Sequence, residues 1–370
     1  MRWRAGKIPI ANVVALAIFA ILIYAYVEKT KQPERSKYYS YKIKAARLMD
    51  LFEHTIKEKK EFIGLVIDEV NDPNQTGIIG PEFTIITTDR GDLTAKLTAS
   101  NPNFAAVIVD MLKSCKLKKG DIIAIGETGS LVGLNLAVYA AIEAMELKPI
   151  IITSLGASSW GATDTEFTWL DIAETLKEKG LIHFYPVAAS IGGGGDIGRG
   201  LTIHSRELLK SVIRRNKVDL IEENTLEESI NKRMKIYDTR SKGKRIKAYI
   251  NIGGGIASLG STQNGKIIPP GVSKRLGMKN FPAEGVIIKM SKRGLPIIQL
   301  LNVDIIARRY KLPIAPIPLP EIGEGTIFFK IKYNVAGTIL AFIILCILTF
   351  LLLRVDIWYY FMRKREKKNA

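Results

Sequence analysis

Histidine and cysteine are scarce in this chain, with three and two copies among 370 residues. His54 falls on an N-terminal helical pattern, His183 inside an expected strand and His204 near an expected helix start. They are too few and too scattered for a Ser/His/Asp centre or a zinc site, and each reads as a packing or surface residue. Cys115 stands alone in the middle of the chain and Cys346 lies in an apolar run, so the middle region has no internal disulfide. Nucleotide signatures are missing too. No Lys-Ser/Thr pair follows any glycine cluster, as a P-loop requires, and Gly126, Gly129 and Gly133 do not make G-x-G-x-x-G. The stretch "GASSWG" misses the G-x-S-x-G elbow by one residue, because Gly156 and Gly161 are five apart. There is no recognised nucleic-acid motif and no fixed-period repeat, so neither a nucleic-acid partner nor a cofactor is expected.

Long apolar runs, by contrast, are present at both ends. Residues 8–27, "IPIANVVALAIFAILIYAYV", and 335–353, "VAGTILAFIILCILTFLLL", carry no formal charge. At about 1.5 Å rise per residue each covers the roughly 30 Å of a hydrocarbon core. The first run could be a secretion signal, but its exit, Tyr24-Ala25-Tyr26-Val27, offers no A-x-A cleavage site, so it reads as an uncleaved anchor. The second is too long and uniform for a core helix. Arg2, Arg4 and Lys7 precede the first run, and Arg354, Arg363, Lys364, Arg365, Lys367 and Lys368 follow the second. Trp3, Trp358, Tyr359 and Tyr360 resemble interfacial anchors. Basic tails at both outer ends place both termini in the cytoplasm and the middle across the membrane. Lys29, Lys31, Arg35, Lys37, Lys330 and Lys332 pull the other way, yet long translocated domains largely escape this charge rule. The expected order is a tail (1–7), a span (8–27), a linker and helix (28–60), an extracytoplasmic domain (61–320), a linker (321–334), a span (335–353) and a basic tail (354–370).

The tails hold nine of the 54 basic and two of the 36 acidic residues, leaving 45 against 34, or +11, for the rest of a chain whose net charge is +18. Such a surface concentrates polyanions and anionic head groups in a salt-sensitive way, or simply keeps the domain soluble beside a membrane.

The middle has a βα beat. "DIIAIG", "KPIIITS", "LIHFYPVAAS", "VDLIEE" and "KAYINIGGG" read as strands, separated by helical patterns such as "SLVGLNLAVYAAIEAMEL" and "FTWLDIAETLKEKG". "GVIIKM" and "PIIQLLNVDIIARRYKL" still hold a strand and a helix. Continuously apolar strands alternating with helices predict an α/β fold, a doubly wound, mostly parallel, Rossmann-like sheet between two transmembrane helices.

Three glycine clusters end expected strands: 126–133, 192–200 and 253–260. Together they contain 13 of the 31 glycines, so glycine is concentrated at strand-to-helix turns. Tight βα turns use glycine in any case. Glycines at the carboxyl ends of a parallel sheet also let the backbone approach a ligand, and helix starts offer N–H donors to an anion. The candidate ligand-binding residues are Glu127, Thr128, Gly129, Ser130, Ser154, Ser158, Ser159, Trp160, Gly193, Gly194, Gly195, Asp196, Gly254 and Gly255. Ser130, Ser158 or Ser159 could be a nucleophile, and Asp196 or Glu127 an acid–base helper. An acid in a loop can equally be a turn former or cap. Trp160 reads either as a binding-loop aromatic or as a core plug.

The stretches "GPEFTIITTDRGDLTAKLTASNPNFAA", "GETGSLVG", "TSLGASSWGATD" and "SIGGGGDIGRG", set between one N-terminal and one C-terminal span, resemble the poly-γ-glutamate system proteins. The resemblance covers essentially the full length. It implies a membrane-anchored accessory component working beside other membrane subunits that make and export poly-γ-glutamate, and it brings no catalytic residues with it. Three functions follow as expectations. The chain binds poly-γ-glutamate or another polyanion, or it is an amide hydrolase or γ-glutamyl transferase, or, with inverted topology, it senses a nucleotide-type ligand.

Overall fold

The computed structural model describes residues 10–277 and 280–354, with side chains described to 351. The basic tails 1–7 and 355–370, with Trp3, Trp358, Tyr359 and Tyr360, lie outside the described residues. The chain divides into a terminal unit and a central unit, Ser36–Phe328.

In the terminal unit, one described helix, Ile10–Lys29, is long and apolar enough to cross a bilayer, with a mean hydropathy of 2.4. A second apolar helix, Val335–Arg354, has its side chains described over Val335–Leu351, which falls short of that length. The two helices pack against each other. The segments expected as linkers are not irregular. Gln32–Arg35 pairs antiparallel with Phe329–Lys332, so the chain leaves and returns through one two-stranded ribbon. Pro33 is tolerated because a ribbon of two strands is all edge, where a missing N–H need not break a ladder.

The central unit is a mixed α/β body around a seven-stranded sheet. Its strands are β1 (Ile122–Thr128), β2 (Lys148–Ser154), β3 (Ala188–Ser190), β4 (Asp219–Leu220), β5 (Ile246–Ile252), β6 (Gly271–Ser273) and β7 (Ile297–Leu300). Their spatial order is β4-β3-β2-β1-β5-β7-β6, parallel throughout except for β6, which runs antiparallel to β7. The order reverses between β1 and β5. In open α/β sheets that reversal leaves a crevice at the carboxyl ends of the strands.

Both faces are covered, which is why the long central strands carry apolar residues toward both faces rather than alternating apolar with polar. Ala124, Ile150, Ile152, Ala188, Tyr249 and Ile297 meet Ile230, Met234, Tyr237, Val286, Ile287 and Met290 from two helices, Leu226–Arg240 and Val286–Lys292. On the other face Ile123, Ile125 and Ile151 are fully buried. There the helix Val132–Met145, apolar on almost every side, packs with Tyr39–Phe62 and Phe104–Ser114. A helix apolar all round is a buried helix.

Three expected elements differ. Of "LIHFYPVAAS" only Ala188–Ser190 is strand, and His183 lies in the loop before it; Pro186 cannot donate to a ladder there. Of "VDLIEE" only Asp219–Leu220 pairs, forming a short edge strand. "GVIIKM" opens the helix Val286–Lys292, because a short apolar run looks the same in a buried helix as in a strand.

Candidate functional site

A pocket of about 390 Å³ opens at the carboxyl ends of β1, β2, β3 and β5, over the point where strand order reverses. Of the residues expected from sequence, Thr128, Ser130, Ser154, Ser158, Gly193, Gly194, Asp196, Gly254 and Gly255 line it. All three glycine clusters therefore reach one pocket. Glu127, Gly129, Ser159, Trp160 and Gly195 are not on its wall.

Gly253 and Gly133 are among the glycines that leave no room for a Cβ. Gly253 sits at φ +87°, and a Cβ there would come within 2.3 Å of Thr128 Oγ1. Gly133 opens the helix after β1, where a Cβ would lie 2.3 Å from the Ala99 carbonyl, so the helix Leu93–Ala99 can settle directly on it. The peptide N–H groups of Gly193, Gly254 and Gly255 donate to no group among the described residues, while their neighbours Gly194 and Gly253 bond Arg199 and Leu300 carbonyls. Unpaired backbone donors on a pocket wall are ready partners for an anionic oxygen.

The floor beneath β2 and β3 is a buried ion pair. Asp196, a non-glycine residue at φ +64°, projects from the glycine run onto Arg233 of the helix Leu226–Arg240, Nη2 to Oδ2 at 2.9 Å. Ser229 donates to Oδ2 at 2.6 Å and Ser190 to Oδ1 at 2.7 Å; Ser154 reaches Oδ1 at 3.3 Å. Arg233 also bonds Ser190 at 2.7 Å and Ser154 at 3.1 Å. Period-two alternation puts Ser154 and Ser190 on the face that this helix covers. Asp196 was expected as an acid–base helper. It lines the pocket, but its carboxylate is consumed by four bonds, so its role is to pin the glycine run.

Glu127 lies one position out of phase and points through the opposite face. Its Oε1 accepts from Trp169 Nε1 at 2.6 Å, Thr153 at 2.8 Å and Tyr139 at 2.9 Å, while Oε2 has no partner. Burial pushes its carboxyl up to about 7, partly offset by those three donors. It cannot act on a ligand in the pocket. Ser159 is buried and its N–H bonds the Asp89 carbonyl; Trp160 is half-buried at φ +59° with its indole N–H unpartnered. Neither is presented to the pocket.

Sequence reasoning missed the wall opposite the glycines. The segment before the helix Leu93–Ala99 contributes Thr88, Asp89, Arg90, Gly91 and Asp92, and the helix itself contributes Lys96. Thr87–Asp89 pairs in parallel with Ala157–Ser158, which fixes Ser158 beside that helix. Asp92 caps the helix by accepting from the Ala95 N–H at 3.3 Å. Lys96 is 5% exposed, and its Nζ meets Ser158 Oγ at 2.9 Å and the Ser130 carbonyl. Burial pulls its ammonium down to about 7, with Asp92 opposing weakly. Arg90, exposed at the mouth, has no side-chain partner among the described residues. The only available signal was a lone lysine inside the apolar pattern "LTAKLTA".

His54 and His183 bond the Asp50 carbonyl and Glu143, away from the pocket. Among the described residues no cluster of three or more His, Cys, Asp or Glu could hold a metal. No family model, curated protein or solved structure matches this chain.

Proposed function

We propose that this chain is a membrane-anchored accessory component of a poly-γ-glutamate synthesis or export system, and that its central pocket binds a carboxylate-bearing ligand such as that polymer or its end. One observation carries the reading: three glycine turns, far apart in sequence, converge on a single pocket at the strand-order reversal. Gly193, Gly254 and Gly255 bring unpaired N–H donors to it and Arg90 an unpaired guanidinium. Asp89 and Asp92 stand at the same mouth, so the site favours a ligand of alternating donors and acids over bulk negative charge. The +11 balance outside the tails adds a general, salt-screened attraction.

In this reading a doubly wound, Rossmann-like body stands outside the membrane on two spans, with both termini cytoplasmic. The paired apolar helices and the antiparallel ribbon that joins them support that arrangement, because they bring the two ends of the chain to one place. Its partners are the lipid bilayer and the other membrane subunits of the system, and not nucleic acid.

The test is calorimetry with the full chain in nanodiscs and poly-γ-glutamate of defined length. The expected result is saturable binding that weakens with salt and is lost in Arg90→Glu. Binding of equal strength to dextran sulfate and to Arg90→Glu would sink the pocket and leave only surface charge.

A further inference from the structure

The geometry points to a serine–lysine acyl-transfer pair, Ser158 and Lys96, that acts on an amide or ester carbonyl in a carboxylate-bearing ligand. This rests on the reading of the pocket as that ligand's binding site and gives it a reaction. Lys96 Nζ lies 2.9 Å from Ser158 Oγ, within reach for proton transfer, and both line the pocket. Among the described residues no carboxylate lies within ion-pair distance of Lys96. Burial without an ion-pair partner favours the neutral amine, and the pull on its ammonium to about 7 has that cause. The charged groups around it are Asp92 on its own cap, Asp89 and Arg90 on the preceding segment, and the Asp196–Arg233 pair across the pocket.

Ser158 is held on both sides. Its N–H donates to Ser130 Oγ at 3.0 Å, and its carbonyl accepts from Gly161 at 2.9 Å. The Ser130 hydroxyl accepts that bond and donates to no group among the described residues, so its proton is free to meet a carbonyl oxygen on the pocket side.

The step balances without a cofactor. Neutral Lys96 Nζ takes the Ser158 hydroxyl proton as Oγ bonds the carbonyl carbon, and the carbonyl π pair moves to oxygen. That pair returns as the C–N bond breaks, and the leaving amine takes the proton from Nζ. Water then gives a proton to Nζ and attacks the acyl carbon. Ser158 Oγ leaves with its bonding pair and recovers the proton, releasing a carboxylic acid. An amine in place of water gives transfer instead.

The experiment uses the full chain in nanodiscs, a fluorophosphonate probe, a p-nitrophenyl ester and, separately, poly-γ-glutamate. The expected result is phosphonylation at Ser158 by peptide mass spectrometry, with a rate that rises with pH through a midpoint near 7. Lys96→Arg, which keeps a cation, lowers both labelling and ester cleavage roughly a hundredfold or more. In Ser158→Cys, alkylation at position 158 follows the same midpoint, which keeps the test alive if a lysine variant fails to fold. If poly-γ-glutamate binds but Ser158 is unlabelled in the wild type, the pair is overturned and the binding reading stands. If Ser158 is labelled in a chain with no affinity for poly-γ-glutamate, the polymer is overturned as ligand and the pair stands. Labelling unchanged in Lys96→Arg overturns the role of Lys96.

Discussion

Asp196 and Glu127 are both buried carboxylates at the carboxyl edge of one sheet, yet their surroundings are opposite. Asp196 faces the helix Leu226–Arg240 and meets Arg233 with three serine hydroxyls around it. Glu127 faces the helix Val132–Met145 and meets only neutral donors, all on one oxygen. Burial disfavours a charge on either side of the sheet, and what differs is whether a cation arrives to repay it. With no cation, Glu127 is pushed up to about 7; its unpartnered Oε2 is where the proton of the neutral acid would sit. The lesson is that the helix an acid packs against, on one side of the sheet or the other, decides its chemistry more than its place at the carboxyl edge.

The largest effect that probes this contrast is on the paired side. Arg233→Met leaves the Asp196 carboxylate buried without a cation, at an expected cost of about 3–5 kcal/mol in denaturant unfolding. Arg233→Met combined with Asp196→Asn recovers most of that loss. A single-variant loss below about 1 kcal/mol would show that the pair does not organise the glycine run.

The unpaired side titrates instead. The folded-state value for Glu127, about 7, lies above the ordinary carboxyl value of 4.5. Its favourable contribution is therefore complete below about pH 4.5 and is lost as pH rises through 7. Glu127→Gln should gain on the wild type by about 3 kcal/mol between pH 4.5 and pH 8, read from unfolding curves at each pH. Lys96 gives the mirror image. Its folded-state value of about 7 lies below 10.5, so the cost of burying the ammonium is full below pH 7 and fades as pH rises. Between pH 7 and pH 9 the wild type should gain about 2 kcal/mol on Lys96→Met. Parallel pH curves for wild type and variants would erase the distinction.

Much of the fold is legible in the sequence. "IIAI" and "PIIIT" announce buried parallel strands by running apolar without polar alternation, and the glycine clusters mark strand ends because tight turns beside a ligand crevice need small residues. The convergence of those clusters depends on strand order, which local pattern does not encode. Lys96 and Arg233 were illegible for the same reason: each is a basic residue on an ordinary-looking helix, and only packing turns it inward. Ser158 was legible as a strand-end serine, but its partner lies 62 residues earlier and comes close only through the Thr87–Asp89 and Ala157–Ser158 pairing.

The smallest expected effect separates two adjacent glycines. Gly253→Ala forces a Cβ onto Thr128 at a positive φ and costs about 1–3 kcal/mol of stability. Gly254→Ala meets only Leu301 at 3.9 Å, so its stability stays within about 0.5 kcal/mol of the wild type. Equal losses at both positions would contradict the geometry of that turn.

The most direct test of the central claim, one ligand pocket built from three distant glycine turns, is amide hydrogen exchange of the full chain with and without a γ-glutamyl oligomer. The account predicts slower exchange at Gly193, Gly254 and Gly255 together, with the helix Trp169–Glu178 behind the sheet unchanged. Protection confined to one turn, or spread over the basic surface with those three amides unaffected, would contradict it.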